Sequence, residues 1–346
     1  MTYLQHDSSP LQGHNSRRPI LASSRLLVGA ALLVGLSTWS SAHAQRQIKI
    51  GSQAGGTLAW VLYGIEYFGI DKELGLDVRS QDFASKDATR IALRSGDAQV
   101  VVDDFLEVTL LRQKNFNVTA VYPFSLLTGG IVVPANSGIR TVADLKGKTI
   151  GVTSLTDKTL LILRAYTRNK FGFDPQTDSK VVSASSPLIG QLLDRGEINA
   201  GIPFWHHGAR LTATGKYRQV ISSGELLRGL GLPANIPLLY IVARNDTDPE
   251  TLRLFIKAVR VATDRMKADT GPFWNSLLEK GLYSLPDRTQ LPALRRQWEA
   301  GVPKSWSSKD LNNTLLLTRK MIEVAGADVV GIQRLDTRAF NTSFRP

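Results

Sequence analysis

The chain has 346 residues, of which 42% are hydrophobic and 21% charged, a net charge of +12 and no cysteine. This composition excludes a disordered, collagenous or disulfide-stapled protein. Without Cys there can be no thiol catalysis, iron–sulfur cluster or Cys-based zinc site. The length allows about two domains of ~150 residues.

Residues 1–44 read as a secretory signal peptide: Arg17, Arg18 and Arg25 precede a short apolar run over residues 26–36, and small residues end at Ala42-His43-Ala44. The run is shorter than the ~20 residues a membrane span needs. Arg17-Arg18 also fits a loose twin-arginine signal, so both Sec and twin-arginine export remain open. Cleavage after Ala44 would remove three Arg and one Asp from a net charge of +12, leaving +10. The Lys and Arg are scattered, so this charge reads as a solvated surface and no nucleic-acid partner is expected.

An internal repeat organises the chain beyond the leader. Ile50-Gly51 recurs as Ile150-Gly151, and Gly96-Asp97 as Gly196-Glu197. In the first copy a strand over residues 48–52 leads to a helix with Leu58, Val61, Leu62 and Ile65 on one face. In the second, a strand over residues 149–152 leads to a helix with Leu160, Leu161, Leu163 and Tyr166. Leu74-Gly75 and Phe171-Gly172 supply matching helix stops. Buried strands come next over residues 99–102 and 199–202. Two successive β-α-β-α-β units predict parallel sheets covered by helices.

Beyond the repeat, residues 238–243 form a strand. Asp248-Pro249 opens a helix that runs to about Asp269. Further helices are predicted over residues 273–280, 289–298 and 309–324. The chain crosses between the units twice, through residues 118–123 leading to 131–133, and residues 221–224 leading to 238–243. The predicted architecture is α/β with two lobes, a ligand cleft between them and a double-strand hinge. Lobe 1 takes residues 45–126 and 237–346, and lobe 2 takes residues 127–236. Ligands bind beyond the carboxyl ends of parallel strands, so the cleft is the expected site, and closure about the hinge is expected as well.

A resemblance sharpens this reading. Ser137-Gly138-Ile139, Ala143-Asp144-Leu145-Lys146-Gly147-Lys148 and Ile150-Gly151-Val152, with Leu74-Gly75-Leu76-Asp77-Val78 and Gly96-Asp97-Ala98, resemble the nitrate/sulfonate/taurine/thiamine-precursor binding family of ABC importers. The resemblance implies a type II periplasmic binding fold. It also implies capture of a small organic solute in the periplasm, and delivery to an ABC permease and ATPase complex in the inner membrane. It implies no chemistry on the solute and no cofactor, and a monomer is expected. The ligand loops depart from the family. Asp103-Asp104-Phe105 stands where many members have a Gly-rich turn, and residues 153–157 where many have a Gly-Ser turn.

Four loops supply the candidate ligand-binding residues. Gly55, Gly56 and Thr57 open a helix whose N–H groups suit anions or carbonyls; the same turn also reads as a plain helix start capped by Thr57. Trp60 can stack a ligand or lie in the core. Thr153, Ser154 and Thr156 form the symmetric helix start, with Asp157 as its cap. Asp103 and Asp104 follow one strand; Trp205 and His206 follow its counterpart. Ser85 and Lys86 follow the second strand and can reach the cleft, with Lys86 also reading as a solvated side chain. His206 and His207 are adjacent and lack the H-x-x-x-H spacing, so no metal site is expected. The alternatives are an enzyme on the same fold, motivated by Asp103 and Asp104 near His206, and a periplasmic sensor. Trp60, Phe105 and Trp205 near the cleft favour a solute with a flat or apolar part.

Overall fold

The computed structural model describes residues 45–344; the expected signal peptide lies outside them. The first unit contains β1 (Arg46–Gln53), α1 (Leu58–Tyr67), α2 (Ile70–Glu73), β2 (Leu76–Phe83), α3 (Lys86–Ser95), β3 (Val100–Asp104), α4 (Phe105–Gln113) and β4 (Val118–Leu126). The second contains β5 (Gly130–Pro134), β6 (Thr149–Val152), α5 (Lys158–Phe171), α6 (Pro175–Asp178), β7 (Lys180–Ser183), α7 (Ser186–Asp194), β8 (Ala200–Ile202), α8 (Trp205–Ala213), β9 (Tyr217–Ser222) and α9 (Ser223–Gly229). The chain then forms β10 (Pro237–Arg244), α10 (Pro249–Ala268), α11 (Pro272–Glu279), α12 (Leu291–Ala300) and α13 (Ser308–Ala325).

Two five-stranded sheets result, ordered β2-β1-β3-β10-β4 and β7-β6-β8-β5-β9. The repeat explains this matched order. In each sheet the first three strands run parallel, and the strand that crosses over from the other unit lies antiparallel beside them. Each lobe is one such sheet with its helices.

The chemistry of the Ile-Gly repeat is visible at atomic level. Ile50 and Ile150 are buried. A Cβ on Gly51 would lie 3.1 Å from Ala98 Cβ, and one on Gly151 would lie 2.6 Å from Ile198 Cδ1. Both strands therefore use glycine so that the segment entering the next strand can press against them. The neighbouring residues pair alike. Gln99 N–H donates to the Lys49 carbonyl and its side-chain Oε1 accepts from Lys49 N–H, both at 2.9 Å. Asn199 repeats both bonds with Thr149 at 2.8 Å.

Three local expectations need correction. The first helix stops at Tyr67, because Gly69 takes a left-handed conformation (φ 67°) and starts the short α2. Ser223-Gly224 is not strand: Ser222 and Glu225 form a capping box that starts α9 there. Asp103 and Asp104 do not follow the strand but end it, opposite Tyr240 and Leu239 of β10.

The two crossing segments touch, with Leu127 N–H donating to the Ile236 carbonyl at 2.9 Å. Helices α10 and α11 pack on α1, burying Phe255, Phe273 and Trp274. Helix α13 lies against both lobes. Leu317 and Met321 join the apolar cluster that contains Leu160 and Leu163 of α5, and Thr314 Oγ1 lies 3.0 Å from the Tyr240 hydroxyl of β10.

Candidate functional site

Side chains join the carboxyl ends of the parallel strands of one sheet to those of the other. After β3 the bridge is ionic. Asp104 caps α4, accepting from Leu106 N–H at 3.1 Å and Glu107 N–H at 3.2 Å. Its other oxygen lies 2.9 Å from Lys158 Nζ, at the first turn of α5 in the opposite lobe. Asp103 holds Arg90 in a two-point pair, with Nε at 2.7 Å and Nη2 at 2.9 Å. Glu107 lies 3.7 Å from the same guanidinium. Burial pushes the Asp104 carboxyl up, but Lys158, Lys86 and Arg90 together outweigh it and hold it at about 2. Burial lowers Lys158, and Asp104 more than reverses this. Burial, then repulsion from Asp104 and Asp103, raises Glu107 against the pull of Arg90. Arg90 also pairs with Asp87 at 2.8 Å, so the cluster sets two cations, Arg90 and Lys158, against four carboxylates, Asp87, Asp103, Asp104 and Glu107.

After β8 the bridge is aromatic. Trp205 meets Trp60 edge-on at 5.9 Å, and His206 meets Trp60 at 6.2 Å. Tyr283 donates its hydroxyl to the His206 carbonyl at 2.5 Å. Lys86 Nζ lies 6.0 Å from the Phe204 ring. Neither ring nitrogen of His206 has a hydrogen bond of good geometry. Burial, then the neighbouring His207 and Arg210, push its imidazole down to about 3 despite the nearby Gly55 backbone. Burial and Arg210 push His207 down to about 4. Both rings are neutral at pH 7.

The structure sorts the sequence candidates. Trp60 is a correction: it is fully buried, its Nε1–H donates to the Leu282 carbonyl at 3.3 Å, and its ring is enclosed by Trp205, Trp274, Tyr283 and His206. It is core, with no face for a ligand. His206 is likewise buried. Asp103 and Asp104 are committed to ion pairs and a cap. Ser85 is exposed and caps α3 through Ala88 N–H at 3.2 Å.

The two helix starts engage donors within their own turns. At α1, Gly56 N–H donates to Gln53, Ala59 to Gly56 and Trp60 to Thr57, while Gly55 is exposed with φ 72°. The Thr57 side chain makes no cap. At α5, Asp157 accepts from Thr159 and Leu160 N–H groups and from the Thr153 hydroxyl, while Ser154 and Thr156 bond each other at the surface. The donors at the α5 start are therefore spent internally, as are those of Gly56, Ala59 and Trp60 at α1.

Thr57 and Trp205 do converge on an open space. They line a chamber of about 420 Å³ bounded by the edge strand β4, helix α10 and residues 298–304. Sequence reasoning missed Arg90, Lys158 and this α10 face. Arg90 lies one helical turn beyond Lys86, a spacing that could have suggested a shared face. Among the described residues, no group of His, Asp and Glu is arranged to hold a metal ion.

Residues 67–270 match the family model described as NMT1/THI5 like. No curated protein matches the chain. Among solved structures, the chain is similar to the periplasmic aliphatic sulphonate binding protein SsuA from Escherichia coli, at 16% identity and TM-score 0.67, covering 85% of this chain and 96% of that one. It is also similar to the zinc-bound ligand-binding component of an ABC-type import system from Staphylococcus aureus, at 14% identity and TM-score 0.63, covering 86% and 96%. The desulfurization enzyme DSZB shares the fold at 12% identity and TM-score 0.58, covering 84% and 98%.

Proposed function

The chain belongs to the NMT1/THI5-like family, and from that premise we propose that it is the solute-binding component of an ABC importer. It captures a small organic solute in the periplasm and delivers it to a permease and ATPase in the inner membrane. Lobe 1 comprises residues 45–126 and 237–346, and lobe 2 residues 127–236. The observation that carries the reading is the bridging of the two strand ends across the lobes, by Lys158 to Asp104 and by Trp205 to Trp60. Such opposed lobes joined by crossing strands suit closure around a ligand. Binding without chemistry is supported by the use of Asp103 and Asp104 in ion pairs and a cap, which leaves neither free as a general base.

A thermal-shift screen across carboxylates, sulfonates, amines and pyrimidines, with calorimetry on each hit, tests the function. The expected result is a stable complex from which the solute is recovered unchanged. Product formation would replace binding with catalysis. Export is tested by N-terminal sequencing of the secreted chain, with Gln45 expected first; retention of residues 26–36 would mean a membrane anchor.

A further inference from the structure

We infer that the solute sits in the side chamber over β4, not between Asp104 and Lys158, and that it is an organic anion with an aromatic body. The inference rests on the solute-binding function proposed for the chain. The cleft floor is occupied: Lys158 and Asp104 are in contact and both are largely buried. The chamber of about 420 Å³ falls in the range of small-molecule sites.

Its charge is one-sided. Arg260, Thr263, Asp264 and Lys267 succeed one another at helical spacing along α10 and line the chamber together. Lys304 faces them from the segment after α12. Asp264 lies 3.6 Å from Lys267. Arg260 and Lys304 form no ion pair among the described residues. Three cations and one carboxylate thus surround the space, the reverse of the carboxylate-rich cleft floor. Burial raises the Tyr122 hydroxyl, with Arg260 pulling against it, so at pH 7 it is a neutral donor beside that guanidinium.

The remaining wall is aromatic. Trp205, Trp298, Phe124 and Tyr122 all line the chamber, and Trp205 alone comes from the second lobe. A flat ring covered by these side chains would leave its anionic group toward Arg260 and Lys267. An inorganic anion would use only the cations, and a neutral aromatic only the rings.

The test is calorimetric titration at low salt with benzoate, 2-naphthoate and indole-3-acetate, set against neutral 2-naphthamide and inorganic sulfate. At least one aryl acid should bind, with 2-naphthamide and sulfate each about tenfold or more weaker, the loss expected when a charge-assisted hydrogen bond or a stacked ring is missing. Arg260→Gln combined with Lys267→Gln should weaken the aryl acid by about tenfold or more at an unchanged melting temperature, and Arg260→Glu more strongly still. Affinity that is unaffected by these changes but lost in Lys158→Met would move the solute to the cleft floor, overturning the chamber while leaving solute binding intact. Aryl acids that fail while amines or pyrimidines bind would overturn the ligand class alone. Failure of every compound in the broader screen would overturn both readings.

Discussion

The segments ending β3 and β8 occupy equivalent places in equivalent sheets, yet they join the lobes by opposite means. Asp103 and Asp104 bury carboxylates and recruit Arg90 and Lys158 to neutralise them. Phe204 and Trp205 set half-buried rings around the buried His206 and hold that one titratable group neutral. The shared glycines and amide pairs fix the strands, so the residues just past them are free to differ. The ionic contact depends on exact partners, because a buried charge left alone is costly. The aromatic contact depends on area and dryness.

The largest expected effect comes from breaking the ionic side. Asp104→Ala removes a cap and strands Lys158, and should cost about 3–5 kcal/mol in urea unfolding. The double variant Asp104→Ala/Lys158→Met should recover part of that loss. Recovery of none would mean that Asp104 matters only as the cap of α4.

Acid should reveal the dryness of the aromatic side. His206 is held at about 3, below its ordinary 6.5, so below pH 6.5 the unfolded chain binds a proton that the folded chain refuses. Its contribution to stability is complete above pH 6.5 and is lost as pH falls toward 3, by up to about 1.4 kcal/mol per pH unit. Between pH 7 and pH 5 this amounts to about 2 kcal/mol. His206→Phe should remove about half of the slope there, because His207, held at about 4, refuses a proton over the same range, and an unchanged slope would mean the ring is not dry.

Trp205→Ala tests whether the aromatic bridge also serves the ligand. Because Trp205 lines the chamber, affinity should fall by about 2 kcal/mol. Because it also meets Trp60, the melting temperature should fall by a few degrees as well. A fall in melting temperature with unchanged affinity would confine Trp205 to the lobe contact. The smallest effect is expected at Ser154→Ala/Thr156→Ala. These exposed hydroxyls bond each other, so stability should change by under about 0.5 kcal/mol and affinity not at all. A clear loss of affinity would return the α5 start to the site.

The sheets were legible in the sequence because their determinants are local and repeated. Gly51 and Gly151, Gly96 and Gly196, and Gln99 and Asn199 each recur 100 residues apart. The ion pairs were not legible. Lys158 reads as an ordinary first-turn residue, and only the approach of the lobes sets it against Asp104, which stands on the other sheet. Trp60 was ambiguous for a related reason: its helical spacing suits a core face as well as a cleft, and Tyr283 and Leu282, which enclose it, arrive from more than 200 residues away. The α10 face reads as solvated charge. It becomes a chamber wall only beside β4 and Trp205.

Helix α13 adds a third tether between the lobes. A joint made of two adjacent crossings can swing and also twist about their common line. A third contact set apart from that line, through Leu317 and Met321 to one lobe and Thr314 to the other, removes much of the twist. Any opening must then carry α13 with one lobe and slide it over the other. Such sliding between packed helices is shear, which proceeds in small rotamer-scale steps. The molecule is therefore built for a narrow range of apertures, set by how far a close-packed helix can slip before its side chains lose their sockets.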